Sequence, residues 1–78
     1  MVEVKFYGIA RITLGCAGVQ TEASTIKELQ EKLAVQFALP VKKISDFLVY
    51  VNDTQAKNSR AKLHDGDKVM FLSPSSGG

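Results

Sequence analysis

Asp65-Gly66-Asp67-Lys68-Val69-Met70-Phe71-Leu72-Ser73-Pro74 carries a tight turn, a strand and a strand stop in ten residues. Asp-Gly-Asp is a tight-turn signal, because Gly accepts backbone shapes that other residues avoid and Asp side chains fold back onto nearby amides. The turn launches Lys68 to Leu72, apolar on both faces, as expected of a strand inside a sheet rather than at its edge. Pro74 has no amide hydrogen and stops strand pairing. Ser73 to Gly78 offers nothing to pack and reads as a flexible tail.

Outward from that strand, the other elements fall into place. Val2, Val4 and Phe6 alternate with Glu3, Lys5 and Tyr7, the period of a half-buried strand, and Gly8 ends it. Residues 9–16 are ambiguous between a short helical turn and an irregular link. Gly15 and Gly18 bracket Cys16 and mark a turn, and residues 18–23 read as a second strand, antiparallel to the first. Thr25 and Glu28 form a capping-box pattern at the start of a helix expected over about 25–37. Ile26, Leu29, Leu33 and Phe37 recur at spacings of three and four and share one face of it. Pro40 forbids its continuation. Phe47 to Val51 is an apolar run of strand length, followed by the turn signal Asn52-Asp53. Residues 54–62 are polar and are expected to hold a short edge strand and a loop.

One helix against strands in this order gives an α+β domain, a small mixed sheet covered on one face, with the first and last strands side by side in its middle. The expected organisation is one domain over 1–72 and a tail over 73–78. Val69 and Phe71 should face the helix. Met70 and Leu72 should then face outward beside Tyr7, and such a face suggests a partner surface.

Composition narrows the function classes. The 78 residues include one cysteine and one histidine, which excludes an internal disulfide and a tetrahedral zinc set. Stability must come from apolar packing, and 45% of residues are apolar. The net charge of +2 is spread over interspersed acids and bases. Lys42-Lys43 is too short for a nucleic-acid stripe, so no nucleic acid partner is expected. No apolar run approaches a membrane span. Met1 to Lys5 lacks the basic start and apolar centre of a signal peptide, and the expected location is cytoplasmic. Cys16 with His64 is a weak candidate for a thiol nucleophile; Cys16 reads better as a small filler beside the core.

Taken together, the Asp65-Gly66-Asp67 turn, Val69, Phe71, Leu72, Pro74 and the final Gly77-Gly78 resemble the β-grasp, ubiquitin-like sulfur carriers, and most closely the small subunit of molybdopterin synthase. Val4-x-Phe6-Tyr7 with Arg11 and Gly15, Thr25-Ile26-x-Glu28-Leu29 and Val51-Asn52 extend the resemblance over essentially the whole chain. It departs at Ser73, where a second Pro is common, and at Ser75-Ser76, where small apolar residues are usual.

The resemblance implies a carrier that is not an enzyme alone. Gly78 would be adenylated by an ATP-dependent, E1-like activating enzyme and converted to a thiocarboxylate with sulfur from a donor protein. Gly77 would let the tail thread a narrow channel, since two glycines remove every side chain there. Tyr7, Met70, Leu72 and Pro74 would meet partners, among them the large subunit of molybdopterin synthase, which would carry the catalytic side chains. The chain itself would bind no cofactor and no metal. The alternatives are a thiamine-pathway sulfur carrier, a ubiquitin-like modifier conjugated to lysines through Gly78, and a plain interaction domain.

Overall fold

The computed structural model describes residues 1–73. Alternation puts Val2, Val4 and Phe6 on one face of β1 (Val2–Phe6), and all three are buried. The ambiguous segment after Gly8 is a helix, α1 (Ile9–Leu14), which buries Ala10 and Leu14. Two inward positions in six residues are too few to make a periodic signal. β2 (Gly18–Thr21) then runs antiparallel to β1, two residues shorter than the expected 18–23.

The expected long helix is α2 (Ile26–Gln36), with Thr25 and Phe37 as its caps. Its start is fully provided with acceptors. The Glu28 amide donates to Thr25 Oγ1 at 3.1 Å, and the Ile26 and Lys27 amides donate to the Ala61 and Ser59 carbonyls. Glu28 reaches back as a capping box requires, but its Oε1 accepts from the Ser24 amide, one residue before the cap. Ile26, Leu29 and Leu33 are buried in one cluster with Val4, Phe6, Val69 and Phe71. Complete burial of a leucine such as Leu29 contributes about 1.5–3 kcal/mol. Phe37 is half-buried and meets the Phe6 ring edge-on, with centroids 6.0 Å apart; Phe6 meets Phe71 in the same way at 5.9 Å.

Pro40 is not what ends α2. The helix closes before Pro40 is reached, with Gln36 its last residue, Phe37 its cap and Ala38 in the left-handed conformation (φ 54°). The Ala38 amide donates to Val35 and the Leu39 amide to Ala34, the paired bonds of a Schellman end. Pro40 instead opens a short helix absent from the sequence reading, α3 (Val41–Ser45), which seats Ile44 in the core.

β3 (Leu48–Val51) and β4 (Thr54–Gln55) form a hairpin through Asn52-Asp53. Both turn residues have positive φ, as the two-residue turn that matches strand twist requires. The chain then crosses the start of α2, buries Leu63 and enters β5 (Lys68–Leu72) through a turn whose Gly66 has φ 88°. The sheet order is β2-β1-β5-β3-β4. β1 and β5 are central neighbours and parallel; the other pairs are antiparallel. The helices and the core lie on one face.

Candidate partner face and tail root

The sheet register builds the opposite face residue by residue. Val69 pairs with Val4, and Phe71 with both Phe6 and Val49; all five point to the core. The intervening residues therefore point away from it. Leu48 lies opposite Leu72, Tyr50 opposite Met70, and Met70 also opposite Lys5. Leu48, Tyr50, Met70 and Leu72 are half-buried. Tyr7 follows β1 on the same side and is 43% exposed. Its amide donates to the Phe71 carbonyl at 2.9 Å, which holds it next to the end of β5.

Tyr7, Met70 and Leu72 thus form one surface, as alternation along their strands suggested. Leu48 and Tyr50 extend it and were not singled out from the sequence. Their run, Phe47 to Val51, is apolar at every position and hides which residues face outward. Exposed Lys5 and Lys68 border the patch. Toward β2 it continues into a shallow groove of about 680 Å³ whose walls include Lys5, Tyr7, Arg11 and Gln20. An apolar centre with a basic margin suits a partner surface of apolar centre and acidic rim.

The face runs into the root of the C-terminal segment. Ser73, expected to be the first residue of a loose tail, is instead half-buried, and its hydroxyl accepts a hydrogen bond from the Ile9 amide at 2.6 Å. The bond satisfies one of the donors that the start of α1 leaves free. Pro74, Gly77 and Gly78 lie outside the described residues.

The remaining candidates separate. Cys16 is half-buried against the core just before β2, level with the end of β1. His64 is exposed before β5, level with the start of β1. The sheet register puts them at opposite ends of the strands, so they form no nucleophile–base pair. The turn around His64 serves the fold. Asp67 accepts from the His64 amide at 2.8 Å and from Asn52 Nδ2 at 3.0 Å, while Asn52 Oδ1 accepts from the Lys68 amide at 3.0 Å. The His64 amide, foremost, and the Asn52 amide group hold the Asp67 carboxyl below its usual pKa, against a smaller opposing effect of burial. The N-terminal ammonium pairs with Asp65 on the same turn. No helix among the described residues is long and apolar enough to cross a membrane.

A five-stranded mixed sheet with parallel central strands and its helices on one face defines an α+β protein of the β-grasp, ubiquitin-like class. Solved structures of that class superpose closely. The small archaeal modifier protein 1 of Methanosarcina acetivorans matches with a TM-score of 0.80 and 19% identity, over 99% of this chain and 95% of its own. A chain of the Amycolatopsis orientalis BexX/CysO complex matches with 0.81 and 24%, over 100% of both chains. A chain of the complex of subunits 1 and 2 of the Helicobacter pylori molybdopterin-converting factor matches with 0.68 and 26%, over 99% and 97%. No curated protein matches the sequence. The ThiS family model matches residues 4–78, so the chain belongs to the ThiS family, among the ubiquitin-like sulfur carriers.

Proposed function

We propose that this chain is a sulfur carrier for molybdopterin biosynthesis, acting through the carboxyl group of Gly78. One observation carries the reading: the apolar outer face of Tyr7, Leu48, Tyr50, Met70 and Leu72 leads directly to Ser73, the root of a segment that ends in Gly77-Gly78, in a chain matched by the ThiS family through residue 78. A docking face beside an arm whose last two residues carry no side chain is what delivery of a carboxyl group to an enclosed site needs.

A carboxylate is a poor electrophile. In the proposed cycle the Gly78 carboxylate attacks the α-phosphorus of ATP on an E1-like activating enzyme, and pyrophosphate leaves. Sulfur delivered at the sulfide level by a donor protein then attacks the acyl carbon, the bond to the AMP oxygen breaks and AMP leaves, giving a thiocarboxylate whose sulfur is the better nucleophile. The chain binds no cofactor of its own; the ATP belongs to the activating enzyme. Gly77 and Gly78 pass a narrow channel because they carry no side chain. Tyr7, Met70, Leu72 and Pro74 dock the carrier on its partners, and the large subunit of molybdopterin synthase supplies the catalytic side chains. The 26% identity to a chain of the Helicobacter pylori molybdopterin-converting factor complex supports this pathway.

Deletion of Gly78 tests the reading. The shortened chain should keep its circular dichroism spectrum and lose sulfur transfer to the large subunit. Transfer that survives the deletion would refute the carrier role. Isopeptide conjugates on other proteins with no sulfur transfer would assign the chain to the protein modifiers.

A further inference from the structure

The β1–β5 ladder continues past the ends of its strands. The Tyr7 amide donates to the Phe71 carbonyl. In a regular parallel ladder the next donor on this side, the Ile9 amide, would meet the Ser73 carbonyl. Ile9 instead opens α1, and its amide is taken at 2.6 Å by the Ser73 hydroxyl. A side chain thus carries the ladder across the point where the two backbones part. Gly8 makes the approach feasible. Its φ of 60° and ψ of −133° suit only a residue without a Cβ, and a Cβ there would lie 2.5 Å from Ser73 Oγ. An empty position at 8, a donor at 9 and a hydroxyl at 73 therefore converge from the two ends of the chain on one junction.

We propose that Ser73 is a positioning residue of the carrier, its hydroxyl clamping the root of residues 74–78 to the start of α1. The inference rests on the carrier reading, since a fixed root matters only for an arm that must be delivered to an enclosed site. The clamp sets the departure point of the arm beside Tyr7 and the exposed Ile9, at the edge of the docking face. When the face docks, the arm then starts from one place. Rotations about the root, which threading would otherwise have to freeze, are already lost in the free protein.

The test compares the wild type with Ser73→Ala and Ser73→Thr by two readouts, hydrogen exchange at the Ile9 amide and the single-turnover rate of Gly78 adenylation at saturating carrier. Ser73→Ala should speed Ile9 exchange by about five- to tenfold, the loss of one hydrogen bond. It should slow adenylation by about three- to tenfold through loss of positioning. The circular dichroism spectrum and the affinity of the carrier for the activating enzyme should not change, and Ser73→Thr, which keeps the hydroxyl, should restore both readouts. Unchanged Ile9 exchange in Ser73→Ala would overturn the clamp. Faster exchange with an unchanged adenylation rate would overturn the positioning role. A wild-type chain that is never adenylated, whatever its Ile9 exchange, would overturn the carrier reading and the positioning role with it.

Discussion

Asp67 closes its own turn and ties it to the β3–β4 hairpin, accepting from the His64 amide and from Asn52. Both bonds favour the charged carboxylate, so its folded pKa is depressed below the usual carboxylate value. The sign follows directly. A depressed folded pKa contributes stability that is fully present above the unfolded value and is lost as pH falls through the folded one. In urea titrations Asp67→Asn should be less stable than the wild type at neutral pH, and the gap should shrink as pH falls below about 4. Parallel stability curves for the two proteins from neutral to acid pH would show that the carboxylate's charge contributes nothing. The turn was legible in the sequence because Asp and Gly have specific backbone chemistry. The bonds to Asn52 were not, because they depend on which strands β5 separates. The Ser73 contact is hidden for a related reason: nothing local to a serine before a proline announces an amide 64 positions away.

Elements were legible in proportion to their length. α2 carries three turns of periodic leucine and isoleucine together with a capping pattern, and its bounds came out within a residue. α1 and α3 have six and five residues and bury two and one of them, so neither leaves a period to detect. The end of α2 shows how a strong local signal misleads. Pro40 forbids a helix through it, yet the chain turns earlier because Phe37 and Leu39 both pack against the core and Ala38 reverses the backbone between them. A left-handed alanine is strained, by roughly 1–2 kcal/mol per residue, whereas a glycine is not. Ala38→Gly also raises the entropy of the unfolded chain, which returns about 0.4–1 kcal/mol. The net expectation is stabilisation by about 0.5–1 kcal/mol, read as a higher urea midpoint at constant slope. A lower midpoint would mean that Ala38 is not left-handed in solution.

In the whole molecule the helices cover one side of the sheet and leave the other to Tyr7, Leu48, Tyr50, Met70 and Leu72. The first and last strands disclosed their outward residues by alternation, and only the register added β3. Met70 sits between Lys5 and Tyr50 with its side chain half-buried, so a charge there disturbs docking more than packing. Met70→Glu should weaken binding to the activating enzyme or the large subunit at least tenfold, about 1.4 kcal/mol, with little change in the thermal midpoint. A collapsed midpoint with unchanged binding would make Met70 a core residue. On the proposed function, the fold presents the carboxyl group of Gly78 for sulfur loading. Intact-mass spectrometry after incubation with an activating enzyme, ATP and a sulfur donor tests it most directly. The expected product is a protein heavier by the exchange of one oxygen for sulfur, with the change confined to Gly78 and absent when ATP is omitted. A mass that stays unchanged with all three components, beside a control carrier that is converted by the same mixture, would contradict it.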